Sequence, residues 1–180
     1  MFVADYFKTP IWIDEKTEWL EDMLKTTDPY IKKAKKLNKQ KIEDNNNSDF
    51  GIVHHSENFF HNEKIRYFID YIGDRSYEFL DWMGYDLSKY ELAVTELWVQ
   101  EFPKDGGGHH HAHYHPNNHV TGFYYLKCTS DSSFPVFNDS RVAHLVTKLP
   151  EKDNTQITHA NYAIHWKVKP GTLIFTPAYL

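Results

Sequence analysis

A single cysteine, Cys128, stands in 180 residues, so no intrachain disulfide framework can brace the chain. That scarcity suits a reducing interior. Basic charge is not in excess either. Lys and Arg number 20 against 25 Asp and Glu, a formal charge of −5, and that balance gives no signal for nucleic acid as a partner. No apolar run approaches the roughly 18 residues of a spanning helix. The N-terminus lacks a basic segment followed by an apolar one, so neither a membrane span nor a signal peptide is expected. No internal repeat is evident, and one domain over residues 1–180 is the expectation for this length. Apolar residues make up 41% and aromatics 16%, enough to build a core.

What the chain does have is histidine. Five of the seven residues from His109 to His115 are imidazoles, preceded by Gly106-Gly107-Gly108. Neutral histidine is the commonest side-chain metal ligand. His109, His111, His113 and His115 alternate. In a strand they would share one face, about 6.6 Å apart at successive positions. Two neighbours could then converge on one ion. Pro116 lacks an N–H and would end the strand, which favours His113 and His115 as the metal pair; His111 with His113 satisfies the same spacing. A solvated tract that binds metal loosely is the plainer possibility.

The rest of the chain divides by period. Residues 5–13 could form a short edge strand. Glu15 to Lys25 has Trp19, Leu20, Met23 and Leu24 at helical spacing, with Asp14 as its cap. Lys32 to Lys41 is a basic run on a helix, and Asp44 to Asp49 is a loop. Asn62 to Met83 is the clearest helix: Ile65, Phe68, Ile69, Ile72, Phe79, Leu80 and Met83 form one stripe, Asn62 caps it and Gly84 ends it. From there the period is two. Strands are predicted over Glu91–Phe102, His109–His115, His119–Lys127, Phe134–Asn138, Arg141–Thr147, Tyr162–Val168 and Thr172–Phe175, with a turn at Pro103–Gly108. The fold class is α+β or mainly β. Residues 1–90 form a helical support, and residues 91–180 form an antiparallel barrel or jelly roll.

Three elements in order carry a resemblance. They are His113-Tyr114-His115-Pro116-Asn117, then Thr121-Gly122-Phe123-Tyr124-Tyr125-Leu126, then the run from Lys169 through Phe175-Thr176-Pro177 to Leu180. Phe137-Asn138-Asp139-Ser140-Arg141 echoes a fourth. Over about residues 90–180 the set resembles the iron(II)- and 2-oxoglutarate-dependent oxygenases, in the phage and bacterial branch of unknown substrate. The resemblance implies a double-stranded β-helix, a cupin-like jelly roll. It implies Fe(II) and 2-oxoglutarate as cofactors, and a dioxygenase that couples oxidative decarboxylation of 2-oxoglutarate to hydroxylation of a substrate. The substrate stays open among a protein side chain, a small metabolite and a nucleobase, as does the oligomeric state. A cytoplasmic location, in a bacterium or a phage-infected cell, goes with this.

The resemblance also assigns residues. His113 and His115 would hold the iron, although the wider superfamily has a carboxylate where His115 stands. A distal histidine and an arginine that clamps the cosubstrate would follow the closing strand. Both are expected beyond Leu180, which makes the jelly roll C-terminally incomplete in this reading. Tyr125 would donate to the cosubstrate carboxylate. Arg141 could hold a carboxylate bidentately, or form a surface ion pair. His144, His159 and His165 are each a possible third ligand, Trp98 and Trp166 read as core, and Cys128 reads as structural. The alternative of a different class is a cupin-like jelly-roll protein that binds metal without oxygenase turnover.

Overall fold

Apolar residues recur at helical spacing between residues 19 and 83, and that is where the long helices lie. The computed structural model describes residues 2–146 and 149–180. In chain order the elements are β1 (Trp12–Glu15), α1 (Leu20–Leu37), α2 (Lys39–Asp44), β2 (His54–His55), α3 (Arg66–Trp82), β3 (Gln100–Glu101), β4 (Val120–Tyr124), β5 (Val136–Asn138), α4 (Val142–Val146), β6 (Ala163–His165) and β7 (Thr172–Pro177). Two compact units result: Lys16–His111, and the segment up to Glu15 together with Ala112–Leu180.

In the unit Lys16–His111, α3 buries Phe68, Phe79 and Leu80, and Ile65 just ahead of it is fully buried. Trp19 meets Tyr67, Phe68 and Tyr71 edge-on, with centroids 5.6, 5.9 and 4.9 Å away. The Asn62 carboxamide oxygen accepts the Lys64 N–H at 3.0 Å, the cap expected of it. Gly84 closes the helix at φ +92°, a conformation that only glycine adopts freely. The first helix is longer than its apolar pattern suggested and runs through Pro29. That proline faces solvent, where water can satisfy the carbonyl its missing N–H leaves. Asp14 is not the cap; it lies in β1 and accepts the Glu15 N–H at 2.7 Å.

The strand expected over Glu91–Phe102 is regular only at Gln100–Glu101, which pairs antiparallel with His54–His55. The residues before it are held by a mixture of backbone and side-chain bonds: the Val99 and Leu97 carbonyls accept the N–H groups of Ser56 and Phe59 at 3.0 and 2.8 Å. Ser56 Oγ accepts the Val99 N–H at 2.9 Å, and Asn58 Oδ1 accepts the Leu97 N–H at 3.0 Å. Side-chain oxygens take the place of backbone carbonyls as acceptors for these two N–H groups, which breaks the regular ladder.

In the other unit, β7 is the central strand of an antiparallel sheet ordered β1-β7-β4. Phe175 lies between Trp12 and Gly122, and Ile174 between Ile13 and Phe123. All six residues of β7 are buried, as a strand covered on both faces requires. Gly122 makes the pairing with β4 possible at this distance: a Cβ there would stand 2.6 Å from the Ile174 carbonyl oxygen. The edge strand sits at Trp12–Glu15, past Pro10 and later than residues 5–13 suggested. A second sheet pairs β5 with β6, Phe137 opposite Ile164.

The strand expected over Arg141–Thr147 is a helix, Val142–Val146; Thr147 lies outside the described residues. Asp139 sets it up. Its carboxylate accepts the Arg141 N–H at 2.9 Å, and the Arg141 carbonyl accepts the His144 N–H at 2.9 Å. That Asx turn overrides the β-branched pattern. The outcome is mixed helix and strand with antiparallel sheets. Among the described residues no helix is long and apolar enough to cross a membrane.

Candidate metal centre

The histidine tract is reached through a tightly fixed turn. Asp49 Oδ2 and Oδ1 accept the N–H groups of Lys104 and Asp105 at 3.0 and 2.9 Å. The Gly106 carbonyl accepts the Gly51 N–H at 2.8 Å. Beyond it, residues 109–115 do not form the expected strand. Alternation of histidines alone did not make a strand of them.

The pair His113 and His115 is nevertheless assembled. Their ring centroids stand 5.0 Å apart with planes tilted by 60°. A metal–nitrogen bond of about 2.1 Å, with the ring centre about 1.1 Å further out, puts two imidazoles on adjacent positions of one ion about 4.5 Å apart at a right angle and about 5 Å apart at a tetrahedral one. The observed spacing fits that requirement. His113 is exposed and His115 half-buried.

His115 is anchored by its backbone. Its N–H donates to the Ala178 carbonyl at 2.9 Å, and the Ala178 N–H donates to the His119 carbonyl at 3.1 Å. Ala178 is thus clasped between His115 and His119, one step past the Val120–Pro177 pair. Pro116 and Asn117 turn the chain between them, with Asn117 at φ +65°, a left-handed conformation that asparagine tolerates better than most residues.

Tyr125 stands at the other end of β4. Its N–H donates to the Thr172 carbonyl at 2.9 Å, and its carbonyl accepts the Gly171 N–H at 2.8 Å. Thr172 and Ala178 are six positions apart on one strand, so the anchors of Tyr125 and His115 lie about 20 Å apart along it. The Tyr125 phenol is pushed well above its ordinary pKa by burial and, next, by Cys128 nearby, and so it is protonated at neutral pH. The Cys128 thiol is itself pushed up by burial, which gives it no thiolate character and agrees with a structural part.

Arg141 is committed elsewhere. Its Nε and Nη2 donate to the two carboxylate oxygens of Asp139 at 2.9 and 2.6 Å. His144 Nδ1 lies 2.6 Å from Asp139 Oδ2. Hydrogen bonds from the Arg141 side chain, joined by its N–H and by His144, hold the Asp139 carboxyl far below the usual range against the opposite pull of burial. A cosubstrate carboxylate at Arg141 would have to displace Asp139. His159 lies 3.8 Å from Asp5, and His165 is in β6 beside the Phe134 ring. Among the described residues no group of three or more His, Cys, Asp or Glu could hold a metal, so none of these completes the pair. His111 pairs with His109, centroids 5.0 Å apart. Trp98 and Trp166 are half-buried, and Trp98 stacks on His55.

One residue escaped the sequence. Thr176 is buried on β7, two positions before Ala178, and among the described residues its hydroxyl has no hydrogen-bond partner. The only signal was a lone hydroxyl inside Leu173-Ile174-Phe175-Thr176-Pro177-Ala178.

No curated protein matches the chain. Residues 96–180, the part that carries the histidine pair, β4 and β7, match the model of a family described as "Putative 2OG-Fe(II) oxygenase".

Proposed function

We propose that this chain carries the iron-binding part of a 2-oxoglutarate-dependent dioxygenase of jelly-roll architecture, with His113 and His115 as two of the protein ligands. The observation that carries the proposal is the pair itself: two imidazoles 5.0 Å apart, one tied by its backbone to the closing strand. The family match over residues 96–180 supports it. The resemblance implies a histidine as the third ligand.

When bound, Fe(II) and 2-oxoglutarate supply the chemistry that couples oxidative decarboxylation to hydroxylation of a C–H bond. The chain's residues position those groups. His113 and His115 offer neutral nitrogen donors, which suit iron(II). Thr176 offers a buried hydroxyl at the same end of β7 as the His115 anchor, and we assign it a contact to the cosubstrate or its water. Its burial with no hydrogen-bond partner among the described residues is the sort of cost that a bound ligand relieves. Tyr125 keeps its proton and so its donor, but its backbone is anchored at the opposite strand end. The substrate is unassigned among protein side chains, metabolites and nucleobases.

The test is conversion of 2-oxoglutarate to succinate by the full-length protein, with and without Fe(II) and oxygen. Iron-dependent succinate release that disappears in His113→Ala and in His115→Ala is expected. Release that persists in the double alanine variant would overturn the reading. Iron binding without any release would favour the metal-binding protein instead.

A further inference from the structure

We propose a second metal site, on His109 and His111, for a borderline divalent transition ion such as Cu(II), Ni(II) or Zn(II). It belongs to the unit that ends at His111 and does not depend on the oxygenase reading.

Three observations carry it. The rings of His109 and His111 stand 5.0 Å apart at 88°, the same separation as the His113–His115 pair and within the about 4.5–5 Å that two imidazoles on adjacent positions of one ion span. His110 is taken out of the way, its ring 5.8 Å from Phe102 in an edge contact. Finally, His109 is oriented as a metal-bound histidine usually is. Its Nδ1 lies 3.3 Å from the Gly107 carbonyl oxygen. A carbonyl only accepts, so this bond puts the ring proton on Nδ1 and the lone pair on Nε2.

The carbonyl that does this is itself fixed. Gly107 sits at φ +72° with the Phe50 ring packed against it, so close that an added Cβ would meet that ring at 2.6 Å. Phe50 is held in turn, its N–H donating to Ser48 Oγ at 3.1 Å. Both imidazoles are exposed, so a captured ion keeps water in its remaining positions and loses little hydration. Imidazole donors without carboxylate favour copper, nickel and zinc over manganese or magnesium, and Cu(II) binds most tightly in that series.

The test counts ions. Cu(II) is titrated into the full-length protein at micromolar concentration, followed by calorimetry and by the nitrogen hyperfine structure of the Cu(II) resonance. The same titration is run on His109→Ala/His111→Ala, on His113→Ala/His115→Ala and on the fourfold variant, each checked for wild-type circular dichroism. Wild type should take one more tightly bound ion than either double variant, and the fourfold variant two fewer than wild type. An unchanged count and affinity in His109→Ala/His111→Ala would overturn the site. So would a single wild-type ion that either double variant abolishes, because all four rings would then share one metal. His109→Gln, which keeps a polar group but no imidazole, should lower the count like the alanine variant. If it restores wild-type binding, the imidazole is not the ligand.

Discussion

His115 and Ala178 are joined by one backbone hydrogen bond of 2.9 Å across 63 positions of chain. It ties the only half-buried ring of the histidine tract to the end of the central strand. This bond and its neighbour at His119 fix the C-terminal end of the tract on that strand. The consequences of that arrangement can be measured one residue at a time.

Thr176→Val should leave the fold as stable as wild type or raise it by about 1 kcal/mol, because an unpaired buried hydroxyl is replaced by a methyl. Binding of 2-oxoglutarate to the iron-loaded protein should weaken severalfold. Urea unfolding gives the first quantity and calorimetric titration of the cosubstrate the second. Unchanged affinity would remove Thr176 from the site.

Gly122→Ala should cost about 1–3 kcal/mol, because its Cβ would press on the Ile174 carbonyl oxygen and β4 would have to leave β7. Because β4 follows the turn that holds His115, metal affinity should fall with stability. Unfolding midpoints that match wild type would show that the strands can separate without cost.

Asp139 and Arg141 differ in what their loss should cost. Asp139→Asn should destabilise the β5–β6 region by about 1–3 kcal/mol, because a largely buried carboxylate serves both Arg141 and His144. Arg141 is exposed, and its alanine variant should lose no more than about 1 kcal/mol. Hydrogen exchange over residues 136–146 and 163–165 distinguishes the two. A large loss of cosubstrate affinity in Arg141→Ala, with the fold intact, would instead make Arg141 the carboxylate clamp.

Much of this was legible in the sequence, and the exceptions share a cause. The helix Arg66–Trp82 announced itself because stripe, cap and terminal glycine are all local. β4 and β7 emerged within a few residues of their expected ends for the same reason. Residues 91–99 misled because the partners of Leu97 and Val99 lie about forty positions away, and side-chain oxygens of Ser56 and Asn58 take two of the bonds that a regular ladder would make. Val142–Val146 misled because the carboxylate of Asp139 decides its conformation. In the site, histidine spacing pointed to a donor pair and Pro116 favoured His113 with His115 over His111 with His113; in the structure the rings of His109 and His111 and those of His113 and His115 each lie 5.0 Å apart. Thr176 stayed hidden because a hydroxyl signals a ligand only once its burial and lack of partner are known.

Acid should destabilise the unit Lys16–His111 through His54. This ring is buried beside Asn38, and burial, helped by Lys35, lowers its pKa against the opposite pull of Glu101 and Asp49. A histidine whose folded pKa lies below its unfolded value of about 6.5 is fully compatible with folding above that pH. Below it the unfolded chain binds the extra proton, and stability falls until the folded pKa is reached. The slope for one proton is at most about 1.4 kcal/mol per pH unit. Urea midpoints between pH 7.5 and 5.5 should therefore fall in wild type and fall less steeply in His54→Gln. Equal slopes would remove His54 from the account.

The central claim is that His113 and His115 hold the iron together. Anaerobic Fe(II) titration of the full-length protein tests it most directly, comparing wild type with His113→Ala, His115→Ala and the double variant. Each single variant should lose at least about tenfold in affinity, about 1.4 kcal/mol. The double variant should lose little more than the single ones, because a pair sharing one ion acts as a unit. Wild-type affinity in the double variant would contradict that claim.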